Sequence, residues 1–518
     1  MSTRHAHLFE KYQDSTVISR CEQYAHWTLP YLMPDQSEIR GTGRVVVERD
    51  YQEVGALYVN NLASKLARIL FPSQYPFFQA EASAPMVEHA KKRGIPEAQL
   101  RGMFARMEMA ANKRLFVNSG YATLITALKH LIVTGQVLIY RDQKAGTMTA
   151  YGVNQFTTQR DGEGKLIDCI LREYTTVAAL PMELLTLLRK GTGSRYSNQN
   201  ASVTKYTRIR RIQKAGGAYY QVTIELDSTP IGEPSRYPEK LCPWVCPTWN
   251  VIAGEHYARG MVEDYAPGFA KLSALSEASA LYSVETMRVI NLVGASAGAE
   301  VDDYANHESG EWVRGDPNQI SAHETGDARK LAAVEEQINR VEGRLARAFM
   351  YTVNTRDAER VTAYELKRDA LEAEHALGGV YSTLSGGIQI PLAYLLMTEV
   401  YDMALPGIVS GDLTPDVTAG IPALGRASDV ESMLMASQDM ASLVPVAQLD
   451  KRIDPQKLVD MALAGRSVDP STIFFSEDEQ KANDDAAEAE RNASAQLLAS
   501  QSLADQSQQI SSSLSTGG

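Results

Sequence analysis

Residues 327–351 read DARKLAAVEEQINRVEGRLARAFMY. Leu331, Val334, Ile338, Val341 and Leu345 fall at steps of three, four, three and four, and Glu335, Glu336, Arg340 and Arg344 lie off that line. An apolar seam at heptad spacing asks for a second helix to cover it. The spacing therefore predicts a long helix with a long partner. The partner lies upstream: after Pro267, residues 268–293 place Leu272, Leu275, Tyr282, Val289 and Val293 along one stripe. As a continuous helix that stretch is roughly 39 Å long. Between the two, residues 294–326 turn Gly-, Ser- and Asp-rich, with a strand-like Glu311-Trp312-Val313. The chain is expected to run out along one rod, round a small lobe, and back along another.

Working towards the N-terminus, the pattern changes from helical to alternating. Val54–Leu70, 97–117 and 121–133 carry helical spacing, and Phe71-Pro72 ends the first of them, because proline cannot continue a helix. The first part of the chain, to about residue 140, reads as helical with that one break. From 135 to 226 short strands are expected over 137–141, 148–153, 156–160, 166–174, 203–213 and 219–226. Asp161-Gly162-Glu163-Gly164 and Ala215-Gly216-Gly217 are hairpin signals. Residues 181–190 read as a short helix. The second hairpin carries Lys205, Arg208, Arg210, Arg211 and Lys214. That reads first as a solvated edge strand blocked by charge, and alternatively as a phosphate-contacting patch.

Beyond the rods comes a polar loop, 352–361, with Arg356, Asp357, Glu359 and Arg360. Thr362-Ala363-Tyr364-Glu365 is a capping box that starts a further helix. Gly378-Gly379, Gly386-Gly387 and Pro391 each cost helix stability, so kinks are expected there. A loop or strand region follows Pro406, then helices over 430–443 and 455–464. From Ser476 the sequence is dominated by Asp, Glu, Ala, Gln and Ser, too poor in large apolar residues to order itself alone.

Composition excludes several function classes. With 44% hydrophobic and 22% charged residues the chain is a folded one, long enough for two or three cores. Its formal charge of −12 argues against tight, sequence-reading DNA binding, which normally shows a basic excess. Cys21, Cys169, Cys242 and Cys246 are too few and scattered for a disulfide framework. Cys242 and Cys246 have no second pair with which to build a zinc site. No phosphate-binding loop, His-Glu-x-x-His or Gly-x-Ser-x-Gly occurs, so neither catalysis nor a cofactor is expected. The opening Met-Ser-Thr-Arg-His-Ala-His is not a signal peptide. The most apolar long stretch, 124–140, is broken by Lys129 and His130 and falls short of a membrane span.

Four segments follow one another along the chain: Asn60-Asn61-Leu62-Ala63-Ser64-Lys65-Leu66 through Leu70-Phe71-Pro72; Ala127-Leu128-Lys129 with Gly135 and Val137-Leu138-Ile139-Tyr140; Tyr237-Pro238 to Cys242-Pro243 with Gly254-Glu255, Tyr257 and Gly260; and Ala348-Phe349-Met350, Glu359-Arg360-Val361-Thr362-Ala363 and Leu377-Gly378-Gly379-Val380-Tyr381-Ser382. In that order they resemble the portal (head–tail connector) proteins of short-tailed podophages that encode a single-subunit RNA polymerase. The resemblance spans about residues 20 to 405 and is weakest at 294–326 and in the tail.

The resemblance implies a mainly helical α+β portal fold in a dodecameric ring around a DNA channel. It implies an α/β wing over 1–256, stem helices over 257–293 and 327–351, and a clip over 294–326. A channel loop would follow over 352–361, then a kinked wing helix over 362–405, the wing end and crown over 406–475, and a polar tail from 476. Arg356 and Arg360 match the basic positions of the channel loop, where they would face DNA or pair with Asp357 and Glu359. The implied partners are double-stranded DNA, the terminase motor, scaffolding and major capsid proteins, a tail adaptor and internal core proteins. The implied place is the portal vertex of the virion, assembled in the host cytoplasm. A tail adaptor is the alternative reading, though the double rod is long for one. A packaging-motor enzyme is a further alternative, and it should carry a phosphate loop or a clustered acidic metal site.

Overall fold

The computed structural model describes residues 5–34, 50–180, 200–294, 320–351, 379–401 and 406–417, apart from a few positions within those stretches, and isolated residues between them. The chain divides into a unit over 1–422 and a second over 423–518. The second unit lies outside the described residues, and with it the helices expected at 430–443 and 455–464 and the polar tail. The expected helix at 181–190, the polar loop with Arg356 and Arg360, and the capping box at Thr362 fall outside them as well.

The N-terminal part starts with α1 (His5–Tyr12) and α2 (Ser15–Trp27). Asp14 separates them and caps α2, its Oδ1 accepting from the amides of Thr16 (2.9 Å) and Val17 (3.2 Å), the usual role of Asp at that position. α3 (Val54–Leu70) buries Tyr58, Leu62, Leu66 and Leu70 on one face. The expected all-helical reading of this part misses a strand: β1 (Phe78–Ala82) precedes α4 (Ala84–Lys92), α5 (Glu97–Phe116) and α6 (Gly120–Thr134). β1 owes its pairing to a segment more than 300 residues on, which no local pattern announces. α6 packs on α3 and ends at Gly135, whose φ of +84° and close approach to the Ala258 carbonyl leave no room for a Cβ.

The strands expected over 137–226 are present, and with two that were not expected, at 229–238 and 244–245, they form two antiparallel sheets. β2 (Leu138–Arg141), β3 (Met148–Tyr151) and the two-residue β9 (Trp244–Val245) form one, in order β3-β2-β9. The other is a meander of β4 (Phe156–Arg160), β5 (Leu166–Thr176), β6 (Ser202–Lys214), β7 (Gly217–Leu226) and β8 (Thr229–Pro238). Leu138 and Trp244 of the small sheet meet Phe156, Cys169, Leu171, Ile209 and Val222 of the large one in a shared core. The opposite face of the meander is covered by α1, whose Phe9 is fully buried beside Ile170 and Tyr206.

β6 is the central strand of the meander, which corrects the reading of its basic residues as an edge guard. Three of the five basic side chains are neutralised laterally. Lys205 pairs with Glu173 at 2.8 Å, Arg208 with Asp168 at 2.5 Å, and Arg211 with Glu239 at 2.8 Å. A half-covered interior strand can carry charge because its cross-strand neighbours supply the opposite sign. The phosphate-patch reading thereby keeps only Arg210 and Lys214 at the surface, and Lys214 lies over the Tyr219 ring.

The two rods are α7 (Ala266–Thr286) and α8 (Ala328–Ala348). α7 stops short of the expected residue 293: Val289–Val293 is strand β10, paired antiparallel with β11 (Ile320–Glu324). The β-branched run Val289-Ile290 favours extended chain once a partner strand is present. Trp312 stands outside any strand, almost wholly exposed. After the described chain resumes, α9 (Val380–Leu384) and α10 (Ile390–Tyr401) are joined by a π-turn, Ser385–Gln389, which holds Gly386 and Gly387. The distortion expected at that glycine pair is therefore a widened helical turn. β12 (Leu413–Val417) closes the unit by pairing with β1.

Candidate channel rods and their anchorage

The seam read from 327–351 is the contact between the rods. Leu331, Val334 and Ile338 are half-buried and Val341 and Leu345 are buried, while the intervening positions other than Glu342 are exposed. On α7, Phe269 and Leu272 are fully buried against it. Gly268 lets α8 approach: a Cβ there would sit 3.3 Å from Leu345 Cδ2.

Where the rods join the body, an aromatic cluster takes over from the aliphatic seam. Phe349 lies 5.7 Å from Phe269 in an edge-to-face contact, 5.8 Å from Tyr265, and 6.2 Å from Tyr58, stacked. Tyr351 lies 5.3 Å from Tyr58. The Tyr58 hydroxyl donates to the Glu342 carbonyl at 3.2 Å. Burial first, then the nearby Glu342 and Tyr351, push the Tyr58 hydroxyl up to about 12, so it stays protonated as a donor. Burial likewise raises Glu342.

Immediately past this cluster Met350 takes a left-handed conformation (φ +53°) and turns the chain out of the rod. Its carbonyl accepts from Lys65 Nζ at 2.7 Å and Asn61 Nδ2 at 3.4 Å. Two segments quoted above for the resemblance, 60–66 and 348–350, thus meet in space. The other end of α3 holds the returning chain: the Leu70 carbonyl accepts from the buried Gln389 Nε2 at 2.6 Å, inside the π-turn. α3 thus contacts the chain at Met350, through Asn61 and Lys65, and again at Gln389, through Leu70. Arg356 and Arg360 themselves are outside the described residues.

α10 is fixed further along by a pair that sequence reading missed. Arg141 of β2 and Glu399 are both completely buried, with Nε–Oε1 at 2.5 Å and Nη2–Oε2 at 2.8 Å. Arg114 of α5 donates to the Glu399 carbonyl. One signal was available: an arginine ending an otherwise apolar strand, Val137-Leu138-Ile139-Tyr140-Arg141, and a lone glutamate in the apolar run 390–401. Each charge is conspicuous in its own segment, but only the fold pairs them.

The cysteines stand apart. Burial pushes the Cys21 and Cys242 thiols up to about 12 and raises Cys169 and Cys246, which makes all four poor nucleophiles. Among the described residues no three His, Cys, Asp or Glu side chains converge as a metal site, and no helix is long and apolar enough to cross a membrane.

Comparison with known proteins converges on one family. The model for the bacteriophage head to tail connecting protein matches residues 2–473. The chain is 43% identical over 503 residues to the portal protein of Pseudomonas phage phiKMV, covering 97% of each chain. It is 31% identical over 437 residues to the portal protein of Enterobacteria phage SP6, covering 84% of this chain and 82% of that one. A chain in the neck of an empty gene transfer agent particle aligns over 74% of this chain and 86% of that one, at 12% identity and a TM-score of 0.38, too distant a likeness to carry an argument. With a family match over residues 2–473 and 43% identity to a portal protein over nearly the whole length, this chain belongs to the bacteriophage head to tail connecting proteins.

Proposed function

We propose that this chain is the portal subunit of a tailed double-stranded DNA phage. It acts as a ring of copies, dodecameric by the family resemblance, that joins head to tail and passes the genome. The observation that carries the reading is the α3 clasp. One helix, α3, holds both the end of the second rod, at Met350, and the π-turn that leads into α10, at Gln389. Tying the end of the rod to the same helix that holds the approach to α10 fixes the rod to the body, which a channel wall built of rods requires.

On this reading the rods are the stem, 294–326 the clip, 1–256 the wing, 406–475 the wing end and crown, and 352–361 the loop nearest DNA. Arg356 and Arg360 touch phosphates there without reading sequence, since phosphate contacts carry none. The formal charge of −12 on each copy keeps DNA mobile elsewhere in the channel. The subunit nucleates capsid assembly at one vertex of the virion and docks the terminase motor during packaging. It also contacts scaffolding, major capsid and internal core proteins, and afterwards the tail adaptor. Its work is mechanical and electrostatic rather than catalytic.

The test is the native mass of the purified protein together with negative-stain images. Rings of about twelve copies with a central hole are expected. A monomer or dimer that turns over ATP or cuts DNA overturns the reading.

A further inference from the structure

The rods bury only one face each, and what they leave exposed is not ordinary surface. On α7, Ala274, Ala278 and Leu281 follow one another at steps of four and three on the side away from α8, with Val284 beside them. Leu281 is 59% exposed and Val284 58%. Large apolar side chains lined up along a rod, rather than scattered, mark an interaction surface. The face of α8 turned away from α7 is different in kind. It carries Ala332, Ala333 and Gly343, all exposed, among Arg340, Arg344 and Arg347. Nothing lies within 4 Å of a Cβ built on Gly343.

The two faces are complementary in shape and charge. α7 holds one lysine against two glutamates, and α8 five basic residues against three acidic ones. The shapes match by position. The rods are antiparallel, with Gly268 against Leu345. Counting outward from that contact by equal numbers of residues on each rod brings Leu281 level with Ala332, and Glu277 level with Glu336 and four residues from the level of Arg340. A copy related by rotation about an axis along the rods keeps those heights. Its α8 then offers Ala332 and Ala333 as the shallow site into which Leu281 packs. Small residues opposite a large one let helices approach to about 8 Å. The contact is heterologous, one face meeting a different face, which is the kind that closes a ring. It needs both faces on every copy, and every copy has both.

We propose that the exposed Ala274–Ala278–Leu281–Val284 stripe of α7 is the docking surface for α8 of a second copy of this chain, with Leu281 seated on Ala332 and Ala333. The inference rests on the portal reading above and deepens it by naming the surfaces that join neighbours.

The experiment uses the full chain with Leu281→Cys and Ala332→Cys together, treated with a short bis-maleimide and run on denaturing gels, alongside each single variant and native mass. Within one copy the two positions lie on opposite outer faces and cannot be bridged, so every cross-link is between copies. The expected result is a ladder reaching the full ring in the double variant, with no more than dimers in either single variant. Rings by native mass with no ladder, in this variant and in Leu281→Cys with Ala333→Cys, overturn the proposed interface and leave the portal reading standing. A wild-type chain that forms no ring overturns both. Leu281→Glu gives an independent check: its circular dichroism should match wild type while the ring population falls at least tenfold. An undiminished ring population in that variant refutes the proposal.

Discussion

Replacing Glu399 with Ala should destabilise the protein more than any comparable surface change, because it strands the Arg141 guanidinium. The Arg141 side chain is 0% exposed and Glu399 1%, and the two make a bidentate pair at 2.5 and 2.8 Å. Two charges so deep are held there by each other, and removing one partner from such a pair costs about 3–5 kcal/mol. Arg141 Nη1 already has no protein acceptor, so the site has no spare carboxylate or carbonyl to take over. A loss of about 4 kcal/mol is a large share of the roughly 5–15 kcal/mol that holds a typical domain together, and lowers the folded-to-unfolded ratio by about three decades. Urea denaturation followed by tryptophan fluorescence at fixed protein concentration should show the midpoint falling by at least about 1 M, given slopes of about 1–3 kcal/mol/M. The matched double variant, Arg141→Met with Glu399→Leu, removes both charges and should recover most of the loss. Glu399→Ala within about 1 kcal/mol of wild type, or a double variant no more stable than the single, would refute the reasoning.

Four further outcomes are expected. His130 is wholly buried and burial lowers its pKa to about 4, so it folds neutral; stability should be full above pH 6.5 and fall by on the order of 3 kcal/mol as pH drops toward 4. Denaturation midpoints across that range should flatten in His130→Gln, and an unchanged slope would show that other groups carry it. Phe9→Ala opens a cavity beside Ile170 and Tyr206 and removes the ring under Arg172. It should cost about 3–5 kcal/mol and speed limited proteolysis near Gln13, which mass spectrometry of the fragments reads directly. Gly135→Ala forces a Cβ to within 2.5 Å of the Ala258 carbonyl at a left-handed residue; soluble yield and thermal midpoint should both drop, whereas Gly162→Ala, which meets nothing within 4 Å, should fold normally. Arg356→Gln with Arg360→Gln should leave rings intact and lower the DNA content of filled particles; equal DNA content would remove the phosphate-contact role proposed for them.

The sequence by itself determined the elements whose signal is local. The heptad steps from Leu331 to Leu345 gave the second rod and its buried face, because 3.5-residue spacing has one structural meaning over three turns. Alternation and turn chemistry gave four of the five strands of the meander, β4 to β7, since a period of two with Asp-Gly or Gly-Gly punctuation is equally specific; β8, with Pro230, Gly232 and Pro234 in it, carries no such signal. The tertiary structure decided whatever depends on residues far apart in the chain. β1 is a strand only because β12 pairs with it, and Val289–Val293 left the helical pattern only because β11 lies alongside. The basic run on β6 looked like an edge until Asp168, Glu173 and Glu239 were seen to surround it. The same holds at the candidate site. Lys65 and Met350, Leu70 and Gln389, and Arg141 and Glu399 are each separated by more than 250 residues. Hydrogen bonds and ion pairs act over about 3 Å of space and leave no periodicity in sequence, so only folding could show which of these polar groups find one another.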